Sequence, residues 1–221
     1  MDTQEILELV QKHTRELSLR DGTRICLRPV SPADKQKIAA GLTRLSPESR
    51  YRRFMAPLEE LSEERLRYLT EIDYDNHFAW AAFALDEPDK PGIAVARYVR
   101  DRILRHIAEP AVAVIDDYHG HGLGTLMLTL LTTTAVEHGV KKFRASLLAD
   151  NEPMRLMLKH AGATFHADGH GVLTAEFDLP GKDRARYDLL SGMIRNACEA
   201  AVIRARGVFS SSLVLKGKTE D

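Results

Sequence analysis

The chain has 221 residues, of which 44% are hydrophobic and 29% are charged, so it is long enough to bury one well-packed core. Its 31 basic and 32 acidic side chains leave a net charge of −1, which argues against a general attraction to nucleic acid or to an anionic membrane. Cys26 and Cys198 lie far apart without metal-ligand spacing, and neither a signal peptide nor a stretch of about 18 apolar residues occurs, so we expect a cytoplasmic protein without disulfides or zinc.

The predicted elements begin with a helix in residues 3–17, which carry an apolar stripe. The alternating run 24–30 predicts a strand, and Pro29 would place it at a sheet edge. Serine caps and proline starts mark three short helices, in residues 32–41, 47–54 and 63–70. Further strands are expected in 77–85, 93–99, 107–115, 142–148, 164–168 and 171–178, with helices in 122–137 and 153–159.

This order indicates one α/β domain, a mixed sheet flanked by helices, in residues 19–180. An N-terminal helix in 1–18 precedes the domain, and a C-terminal helical extension and tail in 181–221 follows it. An apolar stripe in the extension predicts that it docks on the core or forms a homodimer. The stripe consists of Leu189, Leu190, Met193 and Ile194.

Residues 112–128 read V-A-V-I-D-D-Y-H-G-H-G-L-G-T-L-M-L, which predicts a strand, a glycine-rich loop and the start of a helix. Gly120, Gly122 and Gly124 leave backbone N–H groups open at the positive end of the helix dipole, where a phosphate can bind. The spacing fits neither the dinucleotide fingerprint G-x-G-x-x-G nor the P-loop, which needs a lysine. A helix-entry turn without any ligand is the alternative.

The segment 119–124, H-G-H-G-L-G, resembles motif A of the GCN5-related N-acetyltransferases (GNAT), [Q/R]-x-x-G-x-[G/A], which holds the pyrophosphate of acetyl-coenzyme A. His119 departs from the family's Gln or Arg. The segments L-R-D-G-T-R-I-C-L-R-P-V, L-S-P-E-S-R-Y-R-R-F and N-E-P-M-R-L-M resemble the acetyltransferase domain of bacterial Pat-type protein lysine acetyltransferases. The resemblance covers roughly residues 19–165. It implies the GNAT fold, a mostly antiparallel sheet with one splayed strand pair.

The resemblance also implies an activity, the transfer of acetyl from acetyl-CoA directly to a primary amine. The ε-amine of a protein lysine is the first expectation, and no metal, nucleic acid or membrane takes part. A small amine or an amino acid is the alternative acceptor, and a noncatalytic acyl-CoA sensor is the alternative function. Glu109 falls where the family carries its general base. The implied coenzyme-binding residues are Val112, Ala113, Val114, His119, Gly120, His121, Gly122, Leu123, Gly124, Thr125 and Asn151.

Several of these residues also allow simpler interpretations. Strand alternation places Glu109 on one face with two alanines, yet it could be a surface charge near a strand end. Asn151 could equally be the N-cap of the next helix. Leu158 stands where many family members place a tyrosine as general acid, so we assign no acid. Pro110 departs from the residue expected beside the glutamate and suits an edge or a bulge.

Two clusters near the loop invite a metal interpretation that the spacing does not support. Asp116 and Asp117 are expected to be turn and cap residues. His119 and His121 lack the wider set of ligands that a metal needs.

The acceptor is expected to enter past residues 48–54, Asp73, Tyr74 and 80–83.

Overall fold

The computed structural model describes residues 1–89, 91–184 and 188. The apolar stripe of the C-terminal extension lies outside the described residues, and the division into 1–18, 19–180 and 181–221 stays a prediction. The elements in chain order are α1 Thr3–His13, β1 Arg15–Ser18, β2 Arg24–Pro29, α2 Lys35–Thr43, α3 Pro47–Phe54, α4 Glu63–Thr70, β3 His77–Ala84, β4 Gly92–Arg100, β5 Ile107–Val114, α5 Leu123–Glu137, β6 Lys142–Leu148, α6 Glu152–His160, β7 Thr164–Gly169 and β8 Val172–Asp178.

These strands form one mixed sheet in the order β1-β2-β3-β4-β5-β6-β8-β7. Neighbours are antiparallel except for β5 and β6, which are parallel. Helix α5 covers one face, where the Trp80 indole donates a hydrogen bond of 2.9 Å to Thr134. Helices α2, α3 and α4 lie on the other face, where Arg97 of β4 donates to the carbonyl of Leu69 in α4. The predicted fold class, a mixed sheet between helices, is confirmed.

The sequence pattern did not predict the first strand. The helix predicted for residues 3–17 ends at His13, because Thr14 has an extended backbone and Arg15–Ser18 pairs with β2. The expectation that Pro29 marks a sheet edge is therefore wrong, since β2 lies between β1 and β3. Pairing with β1 reaches only to Leu27, whereas Pro29 pairs with Trp80 of β3. The missing N–H of Pro29 thus costs no hydrogen bond to β1.

The sheet opens between β5 and β6. The two strands pair only at Ile107 with Lys142 and at Ala108 with Phe143. Beyond that point β5 continues along β4 as far as Val114, and β6 continues along β8 as far as Leu148. A gap therefore begins at Glu109 and widens toward the glycine loop, which confirms the expected splayed strand pair.

No helix in the described part of the chain is both long and apolar enough to cross a bilayer.

Candidate active site

A cleft of about 780 Å³ follows the gap between β5 and β6. Glu109 lies at its narrow end, and the glycine loop with the first turn of α5 lies at its wide end. Side chains of α3 and α6 form its walls. One continuous space therefore connects an anion site at a helix start with a carboxylate.

The peptide groups of β5 alternate between β4 and the gap. The carbonyl of Ile107 accepts from Asp101, and the N–H of Ile115 donates to Ile93, so both point toward β4. By alternation, Pro110, Val112 and Val114 turn their peptide groups into the gap. Pro110 therefore lacks its N–H on the open side, where no strand needs it, and Val112 carries the first N–H that faces the gap. Ala113 lines the cleft between them.

The glycine loop needs the left-handed backbone that only glycine adopts without strain. Gly120 has φ +78° and Gly122 has φ +79°. Gly122 is the N-cap of α5 and provides no side chain to cap it, and its carbonyl accepts the first helical bond from Leu126. The N–H groups of Leu123, Gly124 and Thr125 consequently have no partner within the helix. At the positive end of the helix dipole, these groups can donate hydrogen bonds to an anion.

The two loop histidines each contact a segment next to the glycine loop. The His119 ring makes a 2.9 Å hydrogen bond to the carbonyl of Val114, which holds the loop against the end of β5. His121 Nδ1 lies 2.6 Å from the carboxylate of Asp21, in the turn between β1 and β2. Burial would raise the pKa of Asp21, but hydrogen bonds from Thr23 and the charge of His121 hold it below its usual value. In the described residues, no group of three or more His, Cys, Asp or Glu side chains is placed to hold a metal.

Arg20 is a residue of this site that sequence reasoning missed. It belongs to the same turn as Asp21 and lines the cleft beside the glycine loop. A Cβ added at Gly122 would lie 3.4 Å from Arg20 Nε. The turn between β1 and β2 therefore contacts the loop through two neighbouring residues and brings a cation next to the anion site. No local pattern signals this contact, because about a hundred residues separate the two segments.

Asp116 ties the glycine loop to α3. Its carboxylate accepts hydrogen bonds from the Ser46 N–H (2.9 Å), the Ser46 hydroxyl (2.8 Å) and the Ser49 hydroxyl (2.8 Å). Burial would raise the pKa of Asp116, yet these bonds keep it below its usual value. Asp117 is exposed and lies 3.8 Å from Arg44. Both acids lie in the predicted turn before the loop, but their carboxylates bind distant segments and do not cap this turn.

Helix α6 contributes Asn151 and Leu158 to the cleft. Asn151 is 8% exposed, and its side-chain oxygen accepts from the Met154 N–H at 3.3 Å, so it is the N-cap of α6. The contact of Asn151 with a coenzyme stays a prediction. Leu158 is buried and places no proton donor in this wall.

Glu109 is an exposed residue on the face of β5 that looks toward α3 and α4. It lies directly opposite Val99 of β4, which in turn lies opposite His77 of β3. Burial lowers the pKa of the Arg53 guanidinium, from α3, and the charge of Glu109 offsets part of this shift. Glu109 thus combines an open approach from solvent with one neighbouring cation.

Part of the predicted entrance for the acceptor belongs to the core instead. Tyr74 is 5% exposed and donates to the carbonyl of Val30, and Trp80 faces α5. Asp73 accepts hydrogen bonds from the backbone N–H groups of residues 75–77 and so closes a turn. Of the predicted entrance, only the α3 segment lines the main cleft, through Glu48, Ser49, Arg52 and Arg53.

The class of the protein follows from a mixed sheet that opens between β5 and β6 and from a cleft that joins this opening to a glycine-rich helix start. The family model of the acetyltransferase (GNAT) domain matches residues 24–164. The chain therefore belongs to the GNAT family of N-acetyltransferases. It is 36% identical over 190 residues to the acetyltransferase Pat of Mycolicibacterium smegmatis, covering 86% of this chain but only 56% of that protein.

Three further relatives agree with this assignment. The chain is 30% identical over 138 residues to the Pseudomonas aeruginosa acetyltransferase PA5475, covering 62% of this chain and 74% of that one. Among solved structures, the GNAT domain of S. lividans PAT superposes with a TM-score of 0.68 at 29% identity, covering 75% of this chain and 97% of that one. The cAMP-binding acyltransferase from Mycobacterium smegmatis superposes with a TM-score of 0.59 at 30% identity, covering 91% of this chain and 58% of that one.

Proposed function

We propose that this protein transfers acetyl from acetyl-CoA to the ε-amine of a protein lysine, with Glu109 as general base. One observation carries the proposal: a single cleft joins the anion site of α5, the open edge of β5 and the carboxylate of Glu109. Two widely spaced cysteines agree with the cytoplasm as the proposed location.

The donor fits the cleft by its chemistry. Its pyrophosphate would accept hydrogen bonds from the N–H groups of Leu123, Gly124 and Thr125, assisted by the Arg20 cation. The pantetheine arm, which carries amide groups, would lie in the gap and pair with the peptide groups of Val112 and Val114. Asn151 lies on the opposite wall and would contact the same arm. These contacts extend the donor toward Glu109.

The reaction needs a neutral amine, because a lysine has a reference pKa of about 10.4 and is protonated at neutral pH. Glu109 would accept the proton of the amine, directly or through a water molecule, as the new N–C bond forms. The N–H of Val112 would stabilise the negative charge that develops on the thioester oxygen. The C–S bond then breaks and the thiolate of coenzyme A leaves. Leu158 can donate no proton, so the thiolate takes its proton from solvent.

The exposure of Glu109 supports a macromolecular acceptor. A small amine is usually held in an enclosed pocket with a counter-charge, whereas the lysine of a folded protein needs an open approach. The similarity to the acetyltransferase Pat points in the same direction.

Release of free thiol from acetyl-CoA tests the proposed acceptor. We expect lysine-containing proteins or peptides to stimulate release, and peptides with lysine replaced by arginine to leave it at the background rate. Mass spectrometry should then place the acetyl group on the ε-amine. Stimulation by polyamines or free amino acids but not by any lysine peptide would contradict the proposal of a protein acceptor. Binding of acetyl-CoA without release to any amine would favour a sensor.

The Arg20→Gln variant should bind acetyl-CoA about tenfold more weakly, because a hydrogen bond to a charged group contributes about 1.5–3 kcal/mol and Arg20 is exposed. Its affinity should also fall less steeply with added salt, since one cation fewer faces the phosphates. Isothermal titration calorimetry at two salt concentrations measures both. Arg24→Gln is the matched control, because Arg24 is exposed nearby but pairs with Glu16 and Asp86, outside the cleft. Equal losses in the two variants would exclude a specific role for Arg20.

A further inference from the structure

Arg97, on β4, is a buried cation without a carboxylate partner among the described residues. Its side chain lines a cavity, yet the residue is only 5% exposed. It lies 3.0 Å from His77 Nε2 and donates to the carbonyl of Leu69 at 3.2 Å. Burial and the charge of Arg97 lower the pKa of His77 to about 4, so His77 is neutral at neutral pH. Neither partner therefore compensates the charge of Arg97.

A second guanidinium makes this arrangement more costly. Burial, and then the positive charge of Arg53, lower the pKa of Arg97 to about 9. Two cations held together away from water are unfavourable unless an anion joins them. The charge of Glu109 acts on Arg53, but Glu109 is exposed and does not line the cavity that Arg97 lines. Groups with such strong electrostatic strain inside a cleft are candidates for binding.

Both guanidiniums line one small cavity between the sheet and helices α2, α3 and α4. Its volume is about 80 Å³, several times the roughly 10–15 Å³ that one water molecule needs. Lys37 lines it as a third cation, no Asp or Glu contributes to its wall, and the other lining residues are apolar or glycine. The cavity shares Leu45, Arg53 and Ala113 with the main cleft. The two spaces therefore adjoin at these residues.

We propose that Arg53 and Arg97 form a carboxylate subsite for one of the two reactants of the transfer. This inference rests on the proposed acyl transfer and adds a substrate class to it. A guanidinium binds a carboxylate through two parallel hydrogen bonds, and the apolar wall would enclose a short methylene spacer. The carboxylate belongs to the far end of a dicarboxylic acyl group on coenzyme A, since a small amino acid would not be the protein acceptor proposed above. The N–C bond forms and the C–S bond breaks as before, and the bound carboxylate is unchanged.

The test compares each carboxylate with a matched neutral molecule. In the donor arm, calorimetry measures the affinity of the full chain for succinyl-CoA and for acetyl-CoA. In the acceptor arm, thiol release from acetyl-CoA is measured with free amino acids and with their carboxamides. A preference for the free amino acid over its carboxamide would place the carboxylate on the acceptor and overturn this assignment. We expect instead that succinyl-CoA binds at least about tenfold more tightly than acetyl-CoA. The Arg97→Met variant should lose this preference, and Arg67→Gln, which removes an exposed arginine of α4 outside the cavity, should keep it.

Thermal unfolding distinguishes binding from a purely structural role of Arg97. Methionine has a similar length and no charge, so Arg97→Met should unfold at the same or a higher temperature while it loses the carboxylate preference. Arg53→Gln, at the entrance to the cavity, is the second variant and should also lose the preference. The subsite is excluded if neither arm shows a preference, or if the preference survives both substitutions. Transfer to a lysine peptide, measured alongside, reports on the proposed acetyltransferase activity. The donor arm measures binding and needs no turnover. The proposed activity and the carboxylate subsite can therefore fail separately.

Discussion

The Glu109→Gln variant should bind acetyl-CoA with unchanged affinity but release its thiol about 10²–10⁴ times more slowly, the range that a positioned general base contributes. Glutamine preserves the size and the polarity of the side chain but cannot accept the proton of the amine. Glu109 lies at the start of the gap, whereas the anion site lies at its far end, so the substitution should leave donor binding intact. Calorimetry measures the affinity, and steady-state thiol release with a lysine peptide measures the rate.

A matched control for this substitution is Glu152→Gln. Glu152 is an exposed acid in the first turn of α6 that does not line the cleft. It should turn over at the rate of the unmodified protein. If Glu109→Gln keeps more than about half of the activity at neutral pH, Glu109 is not the base and the alternative of a surface charge holds. A loss that disappears at high pH, where the lysine is already neutral, would strengthen the assignment.

The part of the candidate site that the sequence predicts is contiguous in the chain. Strand β5, the turn at Asp116 and the glycine loop follow one another, so period-two alternation and glycine spacing suffice to order them. The starts of α3 at Pro47 and of α4 at Glu63 could also be predicted from local sequence. Ser46 and Ser62 each accept a hydrogen bond from the backbone N–H three residues further along the chain. Local chemistry decided these elements, and it can be read from single segments.

The other residues of the candidate site are placed by contacts between distant segments of the chain. Arg20 reaches the loop because β1 pairs with β2 and carries the turn to that end of the sheet, and β1 itself has only four residues. Arg97 reads as the exposed position of an alternating strand, yet α4 covers its face. Trp80 and Tyr74 were expected at the entrance for the acceptor, but the register of β3 turns Trp80 toward α5. Register and helix packing are set by the whole core, so a pattern within one segment cannot supply them.

The Gly122→Glu variant should lose acetyl-CoA binding by at least about 100-fold, because the new carboxylate would occupy the anion site itself. A Cβ at this position points at Arg20, with Nε at 3.4 Å, so the side chain would pair with the cation that otherwise faces the phosphates. It would also lie at the positive end of α5 and repel the incoming pyrophosphate. Each lost hydrogen bond to a charged group costs about 1.5–3 kcal/mol, and two such losses reach the expected effect.

Backbone strain at Gly122 must be separated from this loss of binding. Gly122 has φ +79°, where a residue with a side chain costs roughly 1–2 kcal/mol. Gly162→Glu is the matched control, because Gly162 has φ +87° with nothing within 4 Å of an added Cβ and lies outside the cleft. Both variants should melt at a similarly lowered temperature, yet only Gly122→Glu should fail to bind in calorimetry. Unchanged affinity in Gly122→Glu would exclude the glycine loop as the phosphate site, whatever the activity of the protein.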